Sequence, residues 1–332
     1  MPAGMDRKKR LPSWMRHPRA AGAPVRSRVN LPLAERTLRK MELEVLRRLE
    51  GVGGGDHRTS YLGGGTDLAE IREYLPGDDV RSIDWNVTAR TGEPHIRIHE
   101  PEREVSVFFV IDRSASMGFG TAAQTKEELL QQVVAAVSAI ILRSGDRIGG
   151  MLFGDDHLTA LPFSSGRRAA LRLLQLLEEV KPEEGRRSRL DLALDEANRV
   201  VRRSSVVVVV SDWISAGGWE EPLRRLAHRH EVLAVEIRDP RESLLPPVGP
   251  LVLQDPETGN QLELDTSRSE VRQAYRAAAE ELLRRREQTL AASGAGHLVV
   301  STDRDWVLDL TSFLRRRSRF GRRRAGTLRR SV

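Results

Sequence analysis

Two short patterns in this chain carry residue types that bind hard cations. Asp112-Arg113-Ser114-Ala115-Ser116 places one carboxylate and two hydroxyls in the order D-x-S-x-S, and Asp212 follows the run SSVVVVVS that ends at Ser211. Oxygen donors of this kind suit Mg²⁺ or Mn²⁺, which take carboxylate, hydroxyl and water ligands. If Asp112 and Asp212 stood side by side, two carboxylates and two serine hydroxyls would face one point. The same two acids also read as caps of the helices that follow them. At the level of residue type both readings stand.

The elements that must position these residues are two apolar runs. Val105 to Ile111, VSVFFVI, and Ser204 to Ser211 have the continuous apolar pattern of strands buried on both faces of a parallel sheet. In an open α/β sheet, ligands bind beyond the carboxyl ends of the strands, where the strand order reverses. With the first and fourth strands adjacent, Asp112 and Asp212 meet at that crevice. Around them the pattern predicts helices over 125–143, 167–180, 190–203 and 219–230, and strands over 147–153, 158–163 and 231–237. The connection Gly154-Asp155-Asp156 is short enough to make 147–153 and 158–163 an antiparallel hairpin, with the second strand at the sheet edge. Residues 239–267 read as a projecting hairpin, 269–292 as a long helix, 297–301 as a last strand and 306–314 as a closing helix. This alternation predicts an α/β fold with a doubly wound, mainly parallel sheet over about 105–314.

Ahead of it, 31–49 has apolar positions Leu38, Met41, Val45 and Leu49 at helical spacing. The glycine clusters at 51–55 and 63–65 lack a Gly-Lys-Ser/Thr ending and a preceding strand, so they read as linker. Residues 67–103 are dense in charge. Pro76-Gly77-Asp78-Asp79 is a turn, and 82–89 with 94–99 read as an N-terminal β-hairpin extension. Its alternating charges read as a salt-bridge lattice.

With 332 residues and no cysteine, the chain has no disulfide, thiolate metal site or cysteine nucleophile. No apolar run reaches the roughly 20 residues of a membrane span, and a cytoplasmic location is expected. The net charge of +7 belongs to the ends. The first 30 residues, read as a basic arm, carry eight Lys or Arg against one acid, and the Arg-rich tail from 315 carries nine Arg and no acid. The body between them is net acidic. Such ends suit nonspecific contact with nucleic acid or anionic lipid. No H-E-x-x-H or G-x-S-x-G pattern is present. The alternatives to a binding module are a nucleic-acid or membrane-surface accessory protein acting through the basic tail and, behind it, a Mg-dependent hydrolase using an ion near Asp112.

Taken together, D-x-S-x-S after a first buried strand and an Asp closing a later one resemble the von Willebrand factor A domain, a Rossmann-like fold, and its metal-ion-dependent adhesion site. The upstream run from Arg72 to Arg90 is similar to the signature of bacterial domain-of-unknown-function family 58. That signature rests on Tyr74, Pro76, Gly77, Asp78, Asp79, Arg81, Asp84, Trp85 and Arg90, then Glu102 and Arg103. The resemblance implies a non-enzymatic protein–protein interaction module, chaperone-like, acting with a MoxR-type AAA+ ATPase. It also implies a Mg²⁺ or Mn²⁺ ion on Asp112, Ser114 and Ser116, with Asp212 contributing through water and a free position for a partner's carboxylate. A threonine normally completes such a site, but this chain has Leu190-Asp191-Leu192 where the family often has T-D-L. Leucine donates no oxygen. Two forms of the site stay open, one completed by Ser188 and one degenerate, with weak Mg²⁺ or none.

Overall fold

In a computed structural model of the protein, the described residues are 34–41, 43, 70–98, 106–120, 124–142, 146–154, 157–182, 188–215, 217–255, 258–314 and 316. The basic arm, the glycine clusters, Glu102, Arg103 and the tail beyond 316 lie outside them. Along the chain the strands are β1 (Glu70–Glu73), β2 (His95–Ile98), β3 (Ser106–Asp112), β4 (Arg147–Gly154), β5 (His157–Ser165), β6 (Val206–Ser211), β7 (Glu231–Arg238), β8 (Pro250–Gln254), β9 (Gln261–Asp265) and β10 (Gly296–Ser301). The helices are α1 (34–41), α2 (Trp85–Thr91), α3 (Lys126–Leu142), α4 (Arg167–Glu179), α5 (Leu190–Val200), α6 (Glu220–Arg229), α7 (Ser269–Ala292) and α8 (306–314).

Alternate side chains of a strand point to opposite faces, so an uninterrupted apolar strand needs cover on both. β3 has it. Val107, Phe109 and Ile111 join a core with α1, α3, α4 and α8, while Phe108 and Val110 join a second core with α5 and α6. The sheet runs β10-β7-β6-β3-β4-β5, parallel except for β5, which pairs antiparallel with β4 at the edge. Counting outward from β3, this is the order 3-2-1-4-5-6, which reverses between β3 and β6. Ile111 lies opposite Val210, so β3 ends at Asp112 beside Ser211, the end of β6, and Asp212 is the next residue. The adjacency expected of Asp112 and Asp212 is therefore present, as is the doubly wound sheet. The β8–β9 hairpin forms a separate two-stranded sheet, outside the main one as expected.

The charged segment upstream folds differently from its sequence reading. Residues 85–91 are helical, and the β-pair is β1 with β2, Glu73 facing His95. Alternation of apolar and polar types over 82–89 mimics a strand, but Asp84 decides the outcome. Its carboxylate accepts from Asn86 N at 3.0 Å and Val87 N at 3.2 Å, an N-cap, and Gly92 closes the helix with a left-handed φ of 81°. Arg72 and Asp78 do form a two-point ion pair at 2.7 and 2.8 Å. Asp79, like Asp84, serves backbone instead, accepting from Arg81 N at 2.9 Å. These local bonds shape a turn-and-helix surface that leaves Leu75, Val80 and Trp85 exposed, Trp85 at 71%.

Helix α7 is held by charge more than by apolar burial, since Leu290 is its one buried residue. Its Arg286 reaches the buried carboxylate of Glu236 on β7 at 2.9 Å, which also receives both arms of Arg238 at 2.9 and 2.7 Å and faces His297 Nε2 at 2.8 Å. Burial works against that carboxylate's charge, but the bonds from His297 and Arg238 and the nearby guanidinium of Arg286 outweigh it and bring its pKa down to about 2.

Two outcomes follow. The depressed Glu236 contributes stability above the ordinary carboxylate range, lost as pH falls from about 4.5 toward 2, on the order of 3 kcal/mol. In urea unfolding against pH, Glu236→Gln will lack that acid step, so its deficit against the parent will narrow below pH 4. At the upstream cap, Asp84→Ala will lower stability by about 1 kcal/mol, whereas Trp85→Ala will stay within roughly 0.5 kcal/mol; a larger loss at Trp85 than at Asp84 would contradict the capping account.

Candidate functional site

Asp112 is the last residue of β3 and has no exposed surface. One carboxylate oxygen, Oδ1, accepts from the backbone N–H of Ser114 at 2.8 Å. The other, Oδ2, accepts from Ser211 Oγ at 2.6 Å and Ser188 Oγ at 3.2 Å. Ser114 Oγ and Ser116 Oγ lie 3.1 Å apart on the turn that follows. Ser114 precedes the 3-10 turn Ala115–Gly118 but its hydroxyl does not cap it, which leaves that oxygen for the cluster. Asp112, Ser114, Ser116 and Ser188 are all buried.

Asp212 repeats the arrangement one strand over. Its Oδ1 accepts from Ile214 N at 2.9 Å, and its Oδ2 receives the ammonium of Lys126 at 2.7 Å, with neither side chain exposed. Neither acid caps the helix that follows it. The capping reading therefore fails, and both acids brace their own strand-end turns instead. The two carboxylates are close enough to interact: burial, then the charge of Asp212, pushes the Asp112 carboxyl up to about 6, against hydrogen bonds from Ser211 and Ser114.

Several residues outside the sequence-predicted set hold this geometry. Arg113, itself buried, donates through Nε to Val180 O at 2.6 Å and through Nη2 to Leu177 O at 3.1 Å, with Glu127 at 2.9 Å. Its cation thus sits on the last carbonyls of α4, where a helix favours positive charge. Gly154 allows β4 to pass beneath the loop, since a Cβ there would stand 3.0 Å from Arg113 O. Trp213 turns the chain after Asp212 with a left-handed φ of 58°, costly for a bulky residue. It is locked by Ser211 Oγ on its N–H at 2.9 Å, by Val235 O on its indole at 3.2 Å and by edge contact with Trp219 at 5.1 Å.

Lys126 was not singled out in the sequence, nor was Glu242. The ammonium bonds Glu242 as well as Asp212, and burial, which opposes its charge, is outweighed by both carboxylates, so its pKa is raised. Ser211 could have been found: in the parallel register it stands level with Asp112. Glu242 closes a capping box with Asp239 and borders a cleft of about 300 Å³ whose apolar wall is Ile214, Ala279, Leu282 and Leu283.

As donors for a cation, the residues around Asp112 fit in kind: its carboxylate and the hydroxyls of Ser114, Ser116 and Ser188 are all hard oxygen. Leu190 is buried in the core and supplies nothing, whereas Ser188 is on Asp112. Among the described residues no three His, Cys, Asp or Glu converge, so an ion here would rely on hydroxyls and water. The described signature residues, from Tyr74 to Arg90, do not join this cluster. They form the separate turn-and-helix surface carrying Trp85. No helix among the described residues is long and apolar enough to cross a membrane.

An uncharacterized protein of Mycobacterium tuberculosis is 37% identical over 299 residues, covering 89% of this chain and 93% of the relative. The uncharacterized protein YeaD of Bacillus subtilis is 30% identical over 66 residues, 20% of this chain and 17% of its own. Among solved structures, similarity extends to the conserved hypothetical protein BatB from Bacteroides thetaiotaomicron, with 17% identity, TM-score 0.43, and coverage of 65% of this chain and 99% of that one. The von Willebrand factor A (VWA) domain of SpRpn10 matches with 14% identity and TM-score 0.36, over 63% of this chain and 94% of that one. Residues 70–286 match the family described as "Protein of unknown function DUF58", a span that takes in both the turn-and-helix surface and the strand-tip cluster, and the chain belongs to that family.

Proposed function

We propose that this protein is a non-enzymatic protein–protein interaction module that docks through the tips of β3 and β6. The reading rests on one observation: Asp112 and the hydroxyl of Ser188 meet at a buried point from loops far apart in sequence, with the Ser114–Ser116 hydroxyl pair on the same turn. In this reading Asp112, Ser114, Ser116 and Ser188 hold a Mg²⁺ or Mn²⁺ ion, with Asp212 behind them. When bound, the ion supplies positive charge for a partner's Glu or Asp side chain. The chain's own part is positional. Arg113 and Gly154 fix the loop, Trp213 fixes Asp212, and the adjoining apolar cleft offers Ile214 and Leu282 to the residues flanking that acid.

The partner class is a cytoplasmic MoxR-type AAA+ ATPase, served in a chaperone-like role. This follows from the family resemblance. The neutral hydroxyls support recognition over turnover, because they leave charge on the ion without providing a nucleophile and base.

Purified full-length protein and a MoxR-type ATPase from the same genome, titrated by calorimetry, will bind in Mg²⁺ and lose at least about tenfold in affinity in chelator or with Asp112→Ala, roughly 1.4 kcal/mol. Equal affinity in both conditions would remove the metal from the docking mechanism. Absence of binding to the ATPase would remove the partner.

A further inference from the structure

Lys126 opens α3 with its side chain fully buried, and the proposed docking makes no use of it. At the start of a helix an ammonium faces the positive end of the helix dipole, so the helix gives it no support. Two carboxylates do. Asp212, on the turn after β6, accepts at 2.7 Å, and Glu242, on the turn after β7, accepts from the other side. Asp212 is also the acid whose charge reaches Asp112.

We infer that Lys126 is a built-in cation: it takes the charge-compensating place at Asp212 that a divalent ion would otherwise share, and so sets how tightly the strand-tip oxygens hold Mg²⁺ or Mn²⁺. The inference rests on the metal-site reading of the donors around Asp112 and is independent of the partner's identity. With the ammonium in place, Asp212 is neutralised from within, and the donors left for an ion are one carboxylate and neutral hydroxyls. A dication added there also meets a like charge across a buried site, where water screens poorly. Removing the ammonium uncovers Asp212 and reverses both effects. A lysine that merely pinned α3 to the turn of Glu242 would, when removed, loosen the fold without tightening ion binding.

The measurement is Mn²⁺ affinity of the full chain, from the EPR signal of free Mn²⁺, with folding checked by thermal melting. Lys126→Gln will bind Mn²⁺ at least about tenfold more tightly than the parent, Lys126→Arg will bind like the parent, and Asp112→Ala added to Lys126→Gln will abolish the gain. A folded Lys126→Gln that binds no more tightly than the parent overturns the inference. If that parent nevertheless binds Mn²⁺, the metal-site reading survives alone. If the parent binds none while Lys126→Gln binds through Asp112, the built-in cation stands and the metal site of the parent falls. Should Lys126→Gln fail to fold, the pair Lys126→Gln with Glu242→Gln removes one charge of each sign and still frees Asp212. It carries the same expectation and the same overturning result.

Discussion

Burying two carboxylates at neighbouring strand tips is the constraint around which this part of the molecule is arranged. A carboxylate without water, donors or a counter-charge is expensive to bury by several kcal/mol. Parallel pairing of β3 and β6 makes the problem worse, because the register that sets Ile111 opposite Val210 brings Asp112 beside Ser211 and hence close to Asp212. The two acids are relieved in different ways. Asp112 receives one N–H and two hydroxyls, all neutral, and burial with the nearby charge of Asp212 still raises its proton affinity against them. Asp212 receives a full ammonium. The site is therefore asymmetric, neutral on the β3 side and ion-paired on the β6 side.

That asymmetry is supported by contacts reaching outward from the strand ends. Arg113 ties the β3 loop to the end of α4, and Arg286 ties the β6 turn to α7 by donating to Asp212 O at 2.7 Å while bonding Glu236. Glu236 in turn collects Arg238 and His297 from β7 and β10. A polar chain thus runs from the Asp212 turn across two strands to the helix lining the cleft. Since α7 buries only Leu290, its position depends on these bonds more than on apolar packing.

The sheet was legible in the sequence because doubly buried strands advertise themselves as unbroken apolar runs, and β3 and β6 are the two longest of these. Helix α7 was legible to its end residues because Ala, Arg and Glu fill it without a break. Helix α2 was not. In seven residues a helix and a strand share the same rough alternation, and only the capping role of Asp84, a backbone property, separates them. The carboxylate and serines of the site were visible as types with a spacing. Lys126 and Glu242 were not, since they are 116 residues apart and each looks ordinary locally, one a lysine beginning a helix, the other an acid in a proline-rich loop.

Leu190 and Ser188 stand two residues apart in surroundings that differ sharply. Position 190 faces the core, where Leu190 is fully buried on the first turn of α5, so an oxygen there could reach Asp112 only by giving up that packing. The chain keeps the leucine and delivers a hydroxyl from Ser188, just before the helix begins, where the backbone is free of helical geometry and Ser215 Oγ holds its carbonyl at 3.3 Å. A ligand on a loop end is less rigid than one on a helix, and 3.2 Å is a long bond to a carboxylate. Ser188 therefore brings a hydroxyl to Asp112 through a long bond from a loop end. The ammonium of Lys126, held on Asp212 at 2.7 Å, is by contrast a fixed positive charge at the strand tips.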